Sequence, residues 1–183
     1  MIIDNFLGEH YPELRSYADT AMFCDEVNPV DRVVYPGICK DIPANTVSVI
    51  MGKLSDIMGY DVLINTIFMR RSPLGVKAPH QAHTDKSMGA FSMMLYMSDN
   101  DSAGTSILYH KPTGIAYNPE IPALVDQVAA DQNNYNKWVV TDFVSMQQDR
   151  AFIFRSDSFH RAEPVGGFGN GNDSRTVLTC FYD

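Results

Sequence analysis

The chain has 183 residues, is 45% apolar and 20% charged, and carries 14 Lys and Arg against 22 Asp and Glu for a net charge of −8. That size suits a single domain spanning 1–183 that buries roughly 70% of its unfolded surface, and the apolar fraction excludes wholesale disorder. The acidic balance, with no basic cluster longer than Arg70-Arg71, argues against nucleic acid as a partner.

No apolar run approaches the roughly 20 residues of a membrane helix, so no membrane partner is expected. The opening residues lack the basic and apolar regions of a signal peptide. Cys24, Cys39 and Cys180 are scattered, with no CxxC pair, as expected of reduced thiols in a cytoplasmic protein.

The first 60 residues read as a helical part. A helix is predicted over 12–24, where Leu14, Tyr17, Ala18, Ala21 and Met22 recur at helical spacing before Asn28-Pro29. A second covers 45–58 through Val47, Ile50, Met51, Leu54, Ile57 and Met58, with Gly59 as its C-cap. From 61 onward the pattern turns to strands: 62–70, 90–97, 105–109, 138–144, 151–155 and 175–182 are rich in β-branched and aromatic residues and bounded by turn formers. One late helix is predicted around 122–132, inside a connection over 111–137 that reads either as a lid or as a solvated decoration with one packed helix. Helices followed by many strands indicate an α+β, mainly β fold, with a double-stranded β-helix (jelly-roll) core and N-terminal helices packed on it.

The chemistry concentrates in few residues. Of five histidines, His83 stands two residues before Asp85. On an extended segment positions i and i+2 share a face, so an imidazole and a carboxylate project together. A third ligand, for which His160 is the best candidate, would complete the two-His, one-carboxylate triad that leaves three positions open on Fe(II). An exposed hydrogen-bonded pair is the plainer reading of His83 and Asp85 alone. Arg175 opens the last strand, whose two faces are both largely apolar, so it either reaches a buried anion or turns to solvent and Asp173. His80 faces away from His83 and reads as a surface or supporting residue. His10 and His110 have no metal role. No G-x-S-x-G elbow and no G-x-x-x-x-G-K-[ST] loop is present.

Order and spacing carry more than any one motif. His83-Thr84-Asp85, Met94-Leu95-Tyr96-Met97-Ser98, Ala103-Gly104-Thr105, Ala151-Phe152-Ile153-Phe154, Ser158-Phe159-His160-Arg161-Ala162 and Arg175-Thr176-Val177-Leu178 follow one another along the chain. In this the sequence resembles the Fe(II)/2-oxoglutarate-dependent oxygenase superfamily, in its prolyl-hydroxylase-like branch and a little-characterised bacterial and phage-type subgroup of it. The resemblance covers most of the chain from Val62 onward. It implies that His83, Asp85 and His160 hold Fe(II), and that Arg175 binds the distal carboxylate of the cosubstrate 2-oxoglutarate. It implies the same contact for Tyr96, and Thr179 shares the Arg175 face. It further implies a hydroxylase acting with O2 on an amino-acid residue or small molecule, with 2-oxoglutarate decarboxylated to succinate. The chain departs from the pattern in a longer His160-to-Arg175 gap holding a Gly-rich loop, and in Ala103-Gly104 where Gly-Gly is common. A cupin-like metal enzyme that ignores 2-oxoglutarate and a non-catalytic jelly-roll binding module are the other readings.

Overall fold

The structure is a computed structural model describing residues 1–27, 32–77 and 81–183; His80 lies outside the described residues. In chain order the first elements are β1 (Ile2–Ile3), α1 (Tyr11–Thr20), β2 (Cys24–Val27), β3 (Val34–Cys39), α2 (Ala44–Met58), β4 (Ile64–Ser72) and β5 (Phe91–Tyr96). There follow β6 (Asn100–His110), α3 (Pro122–Asp131), β7 (Trp138–Met146), β8 (Arg150–Arg155), β9 (His160–Glu163) and β10 (Arg175–Tyr182).

β10 is buried at every position, so both its faces need an apolar layer. It lies inside a seven-stranded sheet of order β1-β8-β5-β10-β4-β3-β2, which faces a three-stranded sheet of order β7-β6-β9. Leu178, Cys180 and Tyr182 point out of the sandwich and pack with Leu14 and Ala18 of α1 and Ile50 and Leu54 of α2. Val177 points inward and meets Tyr96, Phe152, Ala103, Val144 and Met146 between the sheets. A third cluster, Ala82, Leu108, Val128, Trp138 and Phe159, lies under the 111–137 connection. The fold is thus the expected mainly β double-stranded β-helix with helices on one outer face.

The N-terminal part differs from its sequence pattern. α1 stops at Thr20, where Ala21 turns extended at φ −64° and ψ 147°, and Cys24 begins a strand. Helical periodicity ran past this point because Ala21 and Met22 fit either conformation. The pairing Cys24↔Ile38 and Glu26↔Tyr35 decides it. The first 60 residues therefore contribute β1, β2 and β3 to the large sheet as well as two helices. α2 ends as predicted at Gly59, in the left-handed region at φ 76°, with its N–H donated to Ser55 O at 2.9 Å.

Asp149 joins the start of the chain to the core. Its own φ is 59°, and its carboxylate accepts from the N–H groups of Leu7 at 2.7 Å and Gly8 at 2.8 Å. Both donors open the short 3-10 turn before α1, where no backbone partner exists. Asp149→Ala strands them beside the apolar core. It is expected to cost about 1–3 kcal/mol, read as a lower urea midpoint, with a smaller loss in Asp149→Asn.

Candidate metal centre

Strand register assembles the site. His160 opens β9, and the segment around His83 pairs with it as one further antiparallel rung: His160 N–H donates to His83 O at 2.9 Å and His83 N–H to His160 O at 3.1 Å. Asp85 is fixed by its own N–H, donated to Ser156 O at 2.8 Å. Upstream, Gln81 N–H donates to the Asn133 side chain at 3.1 Å and Ala82 N–H to Gln132 O at 3.0 Å. The end of α3 therefore holds the approach to His83. The 111–137 connection is tied to the core at its other end too, through Tyr117↔Ser158 and Phe159 N–H to Ala116 O at 3.0 Å.

His83, Asp85 and His160 each offer one ligand atom, and these atoms lie within 4.8 Å of one another. His160 Nε2 is 3.1 Å from one Asp85 oxygen and His83 Nε2 3.8 Å from the other. The other nitrogen of each ring faces a carbonyl: His160 Nδ1 is 3.1 Å from Ser158 O, and His83 Nδ1 is 3.2 Å from Gln81 O. A ring nitrogen against a carbonyl must carry the proton. Both Nε2 atoms are thereby turned toward Asp85, the arrangement by which backbone carbonyls orient metal-binding histidines. Side-chain exposure rises from 4% at His160 through 16% at Asp85 to 34% at His83, so the site opens on the His83 side.

Charge is unevenly spread over the three. Burial lowers the His83 pKa to about 4, helped by the neighbouring His160 charge. Burial acts the same way on His160, but the attraction of the Asp85 carboxylate and the hydrogen bond it accepts from the ring outweigh it and raise the pKa above an ordinary imidazole. Burial pushes Asp85 up, and the His160 charge and hydrogen bond bring it down below the usual carboxylate range. Two neutral-capable imidazoles and one carboxylate suit a divalent transition metal.

Arg175 is 5% exposed and faces the interior. One terminal nitrogen donates to Gly104 O at 3.1 Å, while its buried Nε has no partner. Burial lowers its pKa to about 10. The Gly-rich loop before it is pinned against β4: Phe168 N–H donates to Ser72 O at 3.2 Å, and Arg175 N–H to Phe168 O at 3.1 Å. Gly167, at φ 65°, passes so close to β4 that a Cβ there would sit 2.3 Å from Ser72 O. The longer gap thus aims Arg175 inward. One cavity is lined by His83 and Arg175 together with Arg70, Gln81 and Arg161.

Tyr96 and Thr179 stand on the same interior side but are not in this cavity lining. The Tyr96 hydroxyl donates to Thr105 Oγ1 at 2.9 Å, and Thr179 Oγ1 lies 3.4 Å from Met94 Sδ. His110 is a satisfied core residue, with Nδ1 2.8 Å from Thr113 Oγ1 and Nε2 3.1 Å from Asp131. His10 lies on the surface beside Glu9. Arg70 and Gln81 escaped the sequence reading. The available signal was Arg70-Arg71 at a strand end, where alternation sends one of the two inward.

No helix among the described residues is long and apolar enough to cross a membrane. No protein-family model matches the chain, and no curated protein matches it. Solved structures do. An oxidoreductase of the 2OG-Fe(II) oxygenase family from Burkholderia pseudomallei superposes over 100% of this chain and 84% of its own, with a TM-score of 0.60 at 10% identity. HygX from Streptomyces hygroscopicus, solved with nickel and 2-oxoglutarate bound, gives 0.57 at 11% identity over 100% of this chain and 81% of its own. The non-heme alpha ketoglutarate dependent epimerase SnoN from nogalamycin biosynthesis gives 0.59 at 10% identity over 100% and 75%. At such identities the likeness is one of fold, and it places this chain among double-stranded β-helix proteins whose solved examples include 2-oxoglutarate-dependent enzymes.

Proposed function

We propose that the chain is an Fe(II)- and 2-oxoglutarate-dependent oxygenase of the prolyl-hydroxylase-like branch, hydroxylating an amino-acid residue or small molecule. The observation that carries this reading is the convergence of His83, Asp85 and His160 on one point, with the unpartnered Arg175 Nε on the cavity that His83 also lines. The donor set fits Fe(II), because two imidazoles with fixed tautomers and one carboxylate bring their ligand atoms within 4.8 Å of one another. Fe(II), 2-oxoglutarate and O2 would supply the oxidising chemistry, with the cosubstrate decarboxylated to succinate.

The chain's own residues then have separable tasks. His83, Asp85 and His160 would hold the metal, with His83 also lining the cavity. Arg175 holds the distal carboxylate, its charge stabilised there by an anion where now only Gly104 O answers it. Tyr96 and Thr179, on the same face of the sheet as Arg175, would support that end of the pocket from outside its lining. The apolar residues packed between the sheets, Val177, Phe152 and Met146 among them, keep bulk water from its floor. A cupin-like enzyme that ignores 2-oxoglutarate would leave the Arg175 charge buried without an anion. Cys24, Cys39 and Cys180 are free, in keeping with a cytoplasmic setting for this reading.

Anaerobic addition of Fe(II) and then 2-oxoglutarate to the purified protein should give the weak visible charge-transfer band of a chelated keto acid. His83→Ala should abolish it. Metal binding with no band would favour the cupin-like enzyme, and no metal binding would leave the binding module. Arg175→Gln should weaken 2-oxoglutarate binding ten- to a hundredfold, the effect of losing about 1.5–3 kcal/mol from a charge-assisted contact; wild-type affinity would remove Arg175 from the role.

Metal affinity should also depend on pH in a definite direction. His160, its pKa raised by Asp85, gives up a proton when its Nε2 takes a metal, whereas His83, at about 4, has none to give near neutrality. Affinity for Zn(II) should rise with pH above about 6.5, the ordinary imidazole value, until the free protein has lost the His160 proton. Calorimetry in two buffers of different ionisation enthalpy should count up to about one proton released per metal. A pH-independent affinity across that window would contradict the assignment of His160.

A further inference from the structure

β4 carries a second arginine into the same cavity. In the pairing of β10 with β4, Arg175 stands opposite Ser72 and Val177 opposite Arg70, so Arg70 shares the interior face of Arg175. Both arginines line the cavity with His83. Both keep a buried Nε with no hydrogen-bond partner, and no carboxylate among the described residues pairs with either. The third arginine there, Arg161, is already neutralised: its Nε donates to Glu163 at 2.7 Å, and its guanidinium lies 3.8 Å from the Tyr135 ring centre. Gln81, also in the lining, leaves its Oε1 buried and without a partner.

Charge balance separates the two unpaired arginines. On the reading proposed above, a divalent metal with Asp85 leaves one net positive charge and Arg175 adds a second. The two carboxylates of 2-oxoglutarate cancel both. Arg70, partly buried in the cavity lining, then remains a single cation with no anion, and its partial desolvation favours the arrival of one. Arg70 is near enough for its charge to act on both Arg175 and His83.

We propose that Arg70 is the anchor for a carboxylate on the primary substrate, with the Gln81 amide bonding a polar group beside it. This rests on the oxygenase reading. One cation matches a monoanion, and a planar guanidinium matches a carboxylate through paired N–H donors. The substrate is therefore an acidic small molecule or a residue with a nearby carboxylate, held with that carboxylate toward β4 and its reacting carbon toward the triad.

The test follows the arginine Nε–Hε signals in 15N spectra of the Zn(II)-loaded protein, assigned with Arg70→Gln and Arg175→Gln. Adding 2-oxoglutarate should move the Arg175 signal and leave that of Arg70 in place. Adding acetate to the 2-oxoglutarate-saturated protein should then move the Arg70 signal, while neutral acetamide should not. If the Arg70 signal moves and saturates together with that of Arg175 during the 2-oxoglutarate step, Arg70 belongs to the cosubstrate and the proposal fails. It fails equally if acetate leaves the signal unmoved, or if acetamide moves it as far. If 2-oxoglutarate moves neither signal, the oxygenase reading is what fails, a result separable from the acetate response of Arg70.

Discussion

One reciprocal pair of backbone hydrogen bonds, between His83 and His160, sets the geometry on which the candidate site depends. Two strand segments far apart in the chain are locked in register, and a pleated strand of fixed register leaves each side chain only one face. Both imidazoles consequently meet on the same side, and Asp85, two residues from His83, follows them. A slip of one residue would send a histidine to the opposite face. The carbonyls that fix the ring tautomers, Ser158 O and Gln81 O, lie two residues before each histidine and are placed by the same pairing. Site and sheet are thus one construction, and whatever holds the rung between β9 and the His83 segment also holds the ligands.

The support for that rung comes from outside the jelly-roll strands. The 111–137 connection looks from its length alone like a lid. Its residues around 116–118 pair with 157–159, and the end of α3 bonds Gln81 and Ala82. Asp131, at the last turn of α3, is held in turn by buried His110 and, through its carbonyl, by the Trp138 indole. The connection has its own apolar cluster, and its hydrogen bonds reach both ligand-bearing segments.

Much of this was legible in the residues. The core strands are rich in β-branched and aromatic residues bounded by turn formers, and the candidate ligands are visible because a His and an Asp at i and i+2 carry their geometry with them. Arg175 is visible because a charge at the head of a doubly apolar strand needs a reason. What escaped depends on partners distant in sequence. β2 is short and largely exposed, and β9 reads His-Arg-Ala-Glu, so neither has a hydrophobic pattern to announce it. Arg70 could not be told from Arg71 as the inward residue until the register with β10 was known. The loop before Arg175 reads as mobile from its glycines. Yet those glycines serve close packing, since only a residue without a side chain can lie against Ser72 and Pro73 as Gly167 does.

Trp138 is the chain's only tryptophan, and its position makes it an optical probe built into the molecule. It packs 4.8 Å from the His110 ring and 5.1 Å from Phe159, the residue immediately before His160. Its indole N–H is bonded to the end of α3, which in turn holds the approach to His83. Tryptophan fluorescence from this protein, excited selectively over its nine tyrosines, therefore arises from a single point in the wall that supports both histidines. A displacement of that wall would alter its colour and quenching without any label being attached.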